Sequence, residues 1–258
     1  MAARAMTGDR LWLLHGMKRS GNHALVNWLQ PMLRAAFHNN AIPLGPLLRG
    51  RPMPAPRPYR EWLARQAPPV PSRVLVSLED HALDTSPFTR IDAPLTRLLL
   101  VRMPDQLFAS RIRKASRVDM PAYPREDGPV LRRAVDLGKQ HARCLLGDAT
   151  PYPDRVAVLF DRWFVDAGYR AAIAAALGLA FDDRGFGRVG EEGGGSSFDG
   201  TRFDGQPARM AVTDRVGALS PAERALLEAV FDDRELGALQ SAIAAADPPA
   251  LLRVASSR

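Results

Sequence analysis

The chain has 258 residues, of which 46% are hydrophobic, and its 35 basic and 28 acidic residues give a formal net charge of +7. This length predicts a single domain over residues 1–258, with a flexible N-terminus at 1–9, and is short for two full domains. The lone cysteine, Cys144, excludes an intrachain disulfide and a cysteine-based metal cluster.

The charge balance and the apolar runs narrow the class of protein further. The basic excess suits an anionic ligand such as a nucleotide, a sulfated sugar or a polyanion, although an arginine-rich surface has the same composition. No basic block alternates with aromatic residues, so nucleic acid is not expected as a partner. No apolar run is long enough for a membrane span, and the first ten residues lack the apolar core of a signal peptide. We therefore expect a cytoplasmic protein.

Residues 11–29 predict a strand, a glycine-containing loop and a helix in succession. The apolar run LWLL at 11–14 leads into the loop GMKRSG at 16–21, and apolar residues with helical spacing follow from 24 to 29. Glycines at 16 and 21 allow a tight turn whose N–H groups point at one anion, and the helix N-terminus adds its positive dipole end. The stretch therefore predicts an anion-binding loop, while a plain turn remains the simpler interpretation.

The loop matches only the first part of the nucleoside triphosphatase signature G-x-x-x-x-G-K-[ST]. Asn22 and His23 stand where that signature requires its lysine and its magnesium-binding hydroxyl. A magnesium–triphosphate site therefore lacks its ligands in this loop. No pair of histidines has the spacing of metal ligands either, so we expect no metal.

The region at 42–72 is rich in proline and is predicted to be a surface insertion with one short helix at 59–66. In an enzyme, such an insertion can cover or shape the site of an acceptor substrate. A passive connection between two strands fits the composition equally well.

A second predicted strand, RVLVSL at 73–78, runs into Glu79, Asp80 and His81. In parallel α/β sheets the carboxyl ends of the strands line the ligand crevice. Carboxylates and an imidazole at such a position can supply a general base. An acidic turn in which Asp80 caps a helix is the structural alternative.

A third predicted strand, TRLLLV at 96–101, is followed by Arg102, a proline-containing turn and a helix at 106–114. Arg102 offers a fork of hydrogen-bond donors, and Ser110 on the helix adds a hydroxyl, so the two can bind one phosphate together. Each residue alone is common at its place in a fold. Together, and downstream of the anion-binding loop, Arg102 and Ser110 indicate a second phosphate-binding group.

The two segments together resemble sulfotransferases that use 3′-phosphoadenosine 5′-phosphosulfate (PAPS), in particular bacterial, carbohydrate-type members. KRSGN at 18–22 is similar to the family's 5′-phosphosulfate loop, whose core is a basic residue followed by Ser-Gly-Thr. Arg102 and Ser110 have the spacing of the residues that bind the 3′-phosphate in that family. The resemblance implies a three-layer, P-loop-like α/β fold in which helices flank a central parallel sheet.

The resemblance also implies a reaction, namely transfer of the sulfuryl group of PAPS to a hydroxyl, or less favourably an amine, of a carbohydrate or small metabolite. The residues implied to bind the cofactor are Lys18, Arg19, Ser20, Gly21, Asn22, His23, Arg102 and Ser110. No metal is implied.

The catalytic residues implied are Arg19, Glu79 and His81. Arg19 takes the position of a lysine in much of the family, and a guanidinium can act there only electrostatically. Whether Lys18 or Arg19 faces the leaving oxygen stays open. Glu79 is the favoured base, because many carbohydrate-type sulfotransferases resemble this pattern, with a carboxylate near the end of the second strand. His81 is the runner-up, since a neutral imidazole is also a good base at physiological pH.

The rest of the chain predicts a helix at 130–146, a strand at 155–160, a helix at 165–177, and helices at 221–231 and 235–245. Between them, residues 183–205 form a glycine-rich loop, and a late glycine-containing loop often closes the nucleotide site in sulfotransferases. The candidate cofactor contacts there are Gly194, Gly195, Ser196 and Ser197. A surface loop without a ligand fits the composition as well.

Two rival functions remain at the level of sequence. A phosphate-loop kinase predicts dependence on magnesium and ATP, against which Asn22 and His23 argue. A non-catalytic nucleotide- or polyanion-binding protein predicts binding of PAPS, or of adenosine 3′,5′-bisphosphate (PAP), without transfer. Neither the acceptor nor the oligomeric state follows from the sequence.

Overall fold

The computed structural model describes residues 11–40, 73–83, 96–118, 123, 128–147, 155–190, 195–247 and 251–252. The predicted flexible N-terminus at 1–9 and the proline-rich insertion at 42–72 lie outside these residues, as does Gly194.

Within the described residues, five strands form one parallel sheet. They are β1 (Leu11–Gly16), β2 (Ala36–Asn39), β3 (Val74–Glu79), β4 (Thr96–Val101) and β5 (Arg155–Leu159). Their order across the sheet is β2-β3-β1-β4-β5, and every neighbouring pair is parallel. The last residue of β1, Gly16, is in register with Glu79 of β3 and Leu100 of β4. The loops that follow β1, β3 and β4 therefore leave the same edge of the sheet.

The helices of the described residues are α1 (Asn22–Leu33), α2 (Pro104–Ala115), α3 (Pro129–Leu146), α4 (Phe160–Val165), α5 (Ala167–Ala176), α6 (Pro221–Phe231) and α7 (Arg234–Ala245). No helix in this part of the chain is long and apolar enough to cross a bilayer.

The sheet is covered on both faces because its strands alternate apolar side chains between two cores. Leu98 and Leu100 of β4 pack with α1 and α5 in one core. Leu99 and Val101 pack with α3 and α7 in the other. Burial of such side chains stabilises the fold by about 1.5–3 kcal/mol each. The structure thus confirms the predicted α/β class, with a central parallel sheet flanked by helices.

Most predicted elements are present, and two differ. The structure has a short edge strand, β2, before the insertion, where the sequence predicted no strand. The helix predicted at 165–177 is present as α5 but begins two residues later, because Asp166 has an extended backbone and its side chain accepts a hydrogen bond from Tyr169 N. Asp166 is thereby an N-cap of α5. The short helix α4, which precedes α5, was not predicted.

Candidate functional site

A cleft of about 480 Å³ opens at the carboxyl edge of the sheet. Its walls come from the loop after β1, the first turn of α1, the ends of β2 and β3, one side of α2, and segments near residues 160, 190, 196 and 212. The sequence-predicted residues that line it are Lys18, Arg19, Gly21, Asn22, His23, Glu79, Arg102, Ser110, Gly195, Ser196 and Ser197. Ser20 and His81 are described but do not line it.

The loop after β1 is curved around one carbonyl group. Met17 O accepts hydrogen bonds from Ser20 N (3.0 Å), Ser20 Oγ (2.7 Å) and Asn22 Nδ2 (2.8 Å). Gly21 has φ of 102°, and a Cβ there would lie 2.2 Å from the Phe160 ring. The sequence therefore needs glycine at this position for two reasons, its backbone conformation and the close ring.

The start of α1 presents main-chain donors to the cleft. The first intrahelical bond runs from Leu25 N to Gly21 O, so the N–H groups of Asn22, His23 and Ala24 lie before the helical ladder. No side chain caps this helix and its first turn has no acidic residue. Ser20 is one of the residues expected to bind the cofactor, but its N–H and its hydroxyl are both bonded to Met17 O inside the loop. The available main-chain donors therefore lie one residue further along.

Two charged side chains hold the main chain of Lys18, one at its N–H and one at its carbonyl. Lys18 N donates to Asp80 Oδ1 (2.9 Å), and Lys18 O accepts from Arg111 Nη1 (3.1 Å). Arg111 and Asp80 are themselves bonded through Nη1 and Oδ1 at 2.8 Å. Asp80 has φ of 60°, and its N–H bonds to Gly16 O. This aspartate therefore supports the loop, rather than capping a helix as the alternative interpretation suggested.

Glu79 is held in the cleft by two amide side chains. Its Oε1 accepts from Asn22 Nδ2 at 2.9 Å and its Oε2 from Asn40 Nδ2 at 3.4 Å, while its N–H donates to Asn40 Oδ1 at 2.7 Å. A carboxylate has about four lone-pair sites, so capacity remains for a further donor. Glu79 can therefore accept a proton from a hydroxyl in the cleft.

His81, the other predicted base, lies outside the cleft wall. Its carbonyl is 3.3 Å from His141 Nε2. Burial lowers the pKa of the His81 imidazole, against the opposing effect of Asp80. Burial also lowers the pKa of His141, to about 4. The structure thus brings Glu79, and not His81, to the other predicted site residues.

Arg102 is buried at the end of β4 and joins three parts of the cleft wall. Its Nη1 donates to Arg19 O (3.1 Å) and its Nη2 to Val212 O (2.6 Å), and its guanidinium lies 5.2 Å from the centre of the Phe160 ring. Burial lowers the pKa of Arg102 to about 10, and Asp161, 3.9 Å from Nε, opposes the shift. Asp161 in turn accepts from Met103 N, so it orients the turn before α2.

Two serines from distant segments, one of them on α2, meet at the wall of the cleft. Ser110 Oγ donates to Ser197 Oγ at 3.1 Å, and both residues are buried. Ser197 belongs to the predicted glycine-rich loop, whose described part folds into a turn closed by paired hydrogen bonds between Ser196 and Gly200. Arg19 Nη2 donates to Gly195 O of the same turn at 2.7 Å. The predicted contacts from both segments therefore share one wall.

Arg215 is a residue that the sequence did not indicate. Its side chain is 6% exposed, lines the cleft and donates to Asp199 Oδ2 (2.9 Å) and Ser196 Oγ (3.3 Å). The positive charges of Arg215 and Arg19 add to the burial that lowers the pKa of Arg102. Three guanidiniums thus repel one another in one cleft. A polyanionic ligand would relieve that repulsion.

An aromatic wall also lines the cleft and was not predicted. Phe160 and Trp163 stack with ring centres 5.5 Å apart, and Phe164 lies beside them. The indole Nε1 of Trp163 is buried without a hydrogen-bond partner in the described structure. An apolar aromatic wall is suited to contact with a planar heteroaromatic ring.

No three His, Cys, Asp or Glu side chains in the described ranges are grouped so that they could hold a metal ion.

Neither the models of known protein families nor the curated proteins contain a match to this chain. Among solved structures, the chain is similar to mouse sulfotransferase SULT7A1 complexed with PAP, with a TM-score of 0.46 and 14% sequence identity. The alignment covers 91% of this chain and 89% of that chain.

Proposed function

We propose that this protein is a sulfotransferase that moves the sulfuryl group of PAPS to a hydroxyl of its acceptor. The observation that carries the proposal is the presence of two separate anion-binding groups in one cleft. One is the loop with the start of α1, and the other is Arg102 with Ser110, Ser197 and Arg215. PAPS has phosphate groups at both ends of one adenosine, whereas ATP has them at one end only.

The donor set fits the two ends of PAPS. At the loop end, the N–H groups at the start of α1 and the cations Lys18 and Arg19 would hold the 5′-phosphosulfate. At the other end, Arg102, Ser110 and Arg215 would hold the 3′-phosphate, for which the buried Nε of Arg102 has no hydrogen bond in the described structure. The aromatic wall of Phe160 and Trp163 would contact the adenine.

The residues of the cleft can support in-line transfer. Glu79 accepts the proton of the acceptor hydroxyl while the hydroxyl oxygen forms a bond to sulfur. The bond from sulfur to the 5′-phosphate oxygen breaks, and PAP leaves with the electron pair. Arg19 and the N–H groups of α1 stabilise the charge that develops on that oxygen. Arg19 donates no proton, because a guanidinium stays charged near neutral pH.

We expect the transfer to proceed without a metal ion, because the charge on the donor is met by side-chain and main-chain donors. The kinase alternative requires a lysine ammonium at position 22. There the amide of Asn22 already donates to Met17 O and Glu79. The acceptor in this proposal is a hydroxyl compound of the carbohydrate or small-metabolite class.

Isothermal titration with PAP tests the proposal, with ATP and magnesium as the control. The expected result is micromolar binding of PAP and much weaker binding of ATP with magnesium. Tight binding of ATP with magnesium, and none of PAP, would refute the assignment. Transfer of labelled sulfate from PAPS to a pool of acceptors then separates an enzyme from a protein that only binds the nucleotide.

A further inference from the structure

The chain has only three lysines, Lys18, Lys114 and Lys139, and their surroundings differ. Lys139 lies within 2.7 Å of Asp233, 3.2 Å of Asp136 and 3.6 Å of Glu235. Lys18 is 3.9 Å from Asp80. Lys114, on α2, has no ion pair and no side-chain hydrogen bond with any residue that the structure describes. It is therefore the lysine whose charge the fold leaves unbalanced.

Within the described structure, the unpaired charge of Lys114 lies at the cleft, where a ligand could reach it. Lys114 is half-buried and lines the cleft. Burial lowers its pKa, and the neighbouring charges of Arg19 and Arg117 lower it further. A desolvated ammonium with only cations around it is unfavourable unless an anion binds beside it.

The two arginines assigned to the 3′-phosphate differ from Lys114 because each has a carboxylate partner. Arg102 has Asp161 behind it and Arg215 is bonded to Asp199, so each guanidinium is fixed by a carboxylate. Lys114 has no such support. It lines the cleft together with Arg19, whose charge lowers the pKa of Lys114 more than that of Arg117 does and which belongs to the end where transfer is proposed. The flexible side chain of Lys114 can adjust to a ligand whose anionic group has no fixed position, such as an acceptor that binds after the donor.

We propose that Lys114 binds an anionic group on the acceptor, a carboxylate or a sulfate ester, so that the acceptor is an anionic hydroxyl compound. The inference rests on the proposed function, because it assigns the rest of the cleft to PAPS. The competing role is a contact to the 3′-phosphate of the donor, since Lys114 lies one helical turn beyond Ser110.

The first experiment separates these two roles by titrating PAP into the full-length protein and into Lys114→Met. Arg133→Gln is the control, because Arg133 is an exposed cation outside the cleft and its loss changes the net charge equally. We expect the three affinities to agree within about threefold. A loss of about tenfold or more in Lys114→Met alone would assign Lys114 to the donor and overturn the proposal.

The second experiment reads Lys114 directly. Reductive methylation with ¹³C-formaldehyde labels the three lysine side chains and the N-terminal amine and keeps their charge, and Lys114→Met assigns the signal. The PAP-bound protein is titrated with methyl glucuronide, glucose 6-sulfate and neutral methyl glucoside. These probes share a hydroxyl-bearing ring and differ in their anionic group.

We expect the Lys114 signal to move with the glucuronide or the sulfate at concentrations about tenfold below those needed with the glucoside, while the Lys139 signal stays fixed. A response to the carboxylate probe alone or to the sulfate probe alone identifies the anion. Equal responses to all three probes, or none, would overturn the proposal. If PAP itself fails to bind the unmodified protein, the proposed function fails, and a response to the anions in the free protein would still support an anion site at Lys114.

Discussion

The two ends of the cleft present their donors by different means. At the loop end, Ser20 and Asn22 direct their side chains to Met17 O, so the donors there are the N–H groups at the start of α1 and the cations Lys18 and Arg19. The end proposed for the 3′-phosphate has side chains from four segments, Arg102, Ser110, Ser197 and Arg215. Deletion of single side chains should therefore weaken the second end strongly, whereas the main-chain donors of the first change only when the backbone of the loop changes.

The largest expected effect concerns the chemistry at the loop end. Glu79→Gln removes the proton acceptor and keeps the size of the side chain, and its one amide oxygen can still accept from Asn22 Nδ2. We therefore expect kcat to fall by about 10²- to 10⁴-fold with PAP affinity unchanged. His81→Ala is the matched variant and should keep its turnover, since His81 does not line the cleft. Rates with labelled PAPS measure both. The opposite result would make His81 the base.

The backbone of the loop is tested by Gly21→Ala. Its Cβ would meet the Phe160 ring at 2.2 Å and its φ of 102° is unfavourable for alanine, so we expect a loss of about 2–5 kcal/mol in the free energy of unfolding. Gly178→Ala shares the positive φ but has open space around its Cβ, and should lose only about 1–2 kcal/mol. Urea unfolding compares the two. Equal losses would show that the contact with Phe160 has no energetic weight.

At the 3′-phosphate end, we expect Arg102→Ala to weaken PAP binding by about 10- to 100-fold, through loss of a charge-assisted fork. Arg113→Ala is the control, because Arg113, on α2, is paired with Glu223 of α6 and does not line the cleft. If Arg102→Ala does not fold, Arg102→Lys keeps the charge and removes the fork, and calorimetry should still detect weaker binding. Unchanged affinity in a folded variant would refute the role.

The smallest effects compare two serines. Ser110→Ala should weaken PAP binding by about 3- to 10-fold. Ser20→Ala should leave the affinity nearly unchanged and instead cost about 1 kcal/mol of stability, because the Ser20 hydroxyl is bonded inside the loop. Calorimetry measures the PAP affinity of both variants, and urea unfolding of the same samples measures their stability. A larger affinity loss for Ser20→Ala would mean that its hydroxyl turns to the ligand.

Local patterns predicted the parts of this molecule that depend on neighbouring residues. The strand at Thr96–Val101 was placed at its observed limits, because a continuous apolar run bounded by charges is distinctive. The loop with its flanking strand and helix was predicted for the same reason. Strand β2 was missed because four residues at a sheet edge are too few for a periodic pattern.

The supports of the site could not be read from the sequence. Arg111 and Asp80 are 31 residues apart, and Arg111 reaches Lys18 across 93 residues. Such contacts exist only once the sheet has ordered its strands. Arg215 could not be predicted as a site residue for the same reason. Its partners Asp199 and Ser196 lie in a turn that only the fold brings next to Ser110. The direction of the Ser20 hydroxyl was also beyond sequence reasoning, because three donors compete for one carbonyl.

The strand order has a consequence for how the donor site comes into being. Strand β1 is central, and it pairs with β3 and β4, which lie more than fifty residues downstream. The loop after β1 therefore takes its shape only when non-local pairing is complete, and Arg215 joins later still in the chain. Such topologies fold slowly. Because no early fragment contains the complete cleft, PAP should bind the native state alone, and the melting temperature of the whole domain should rise with PAP concentration.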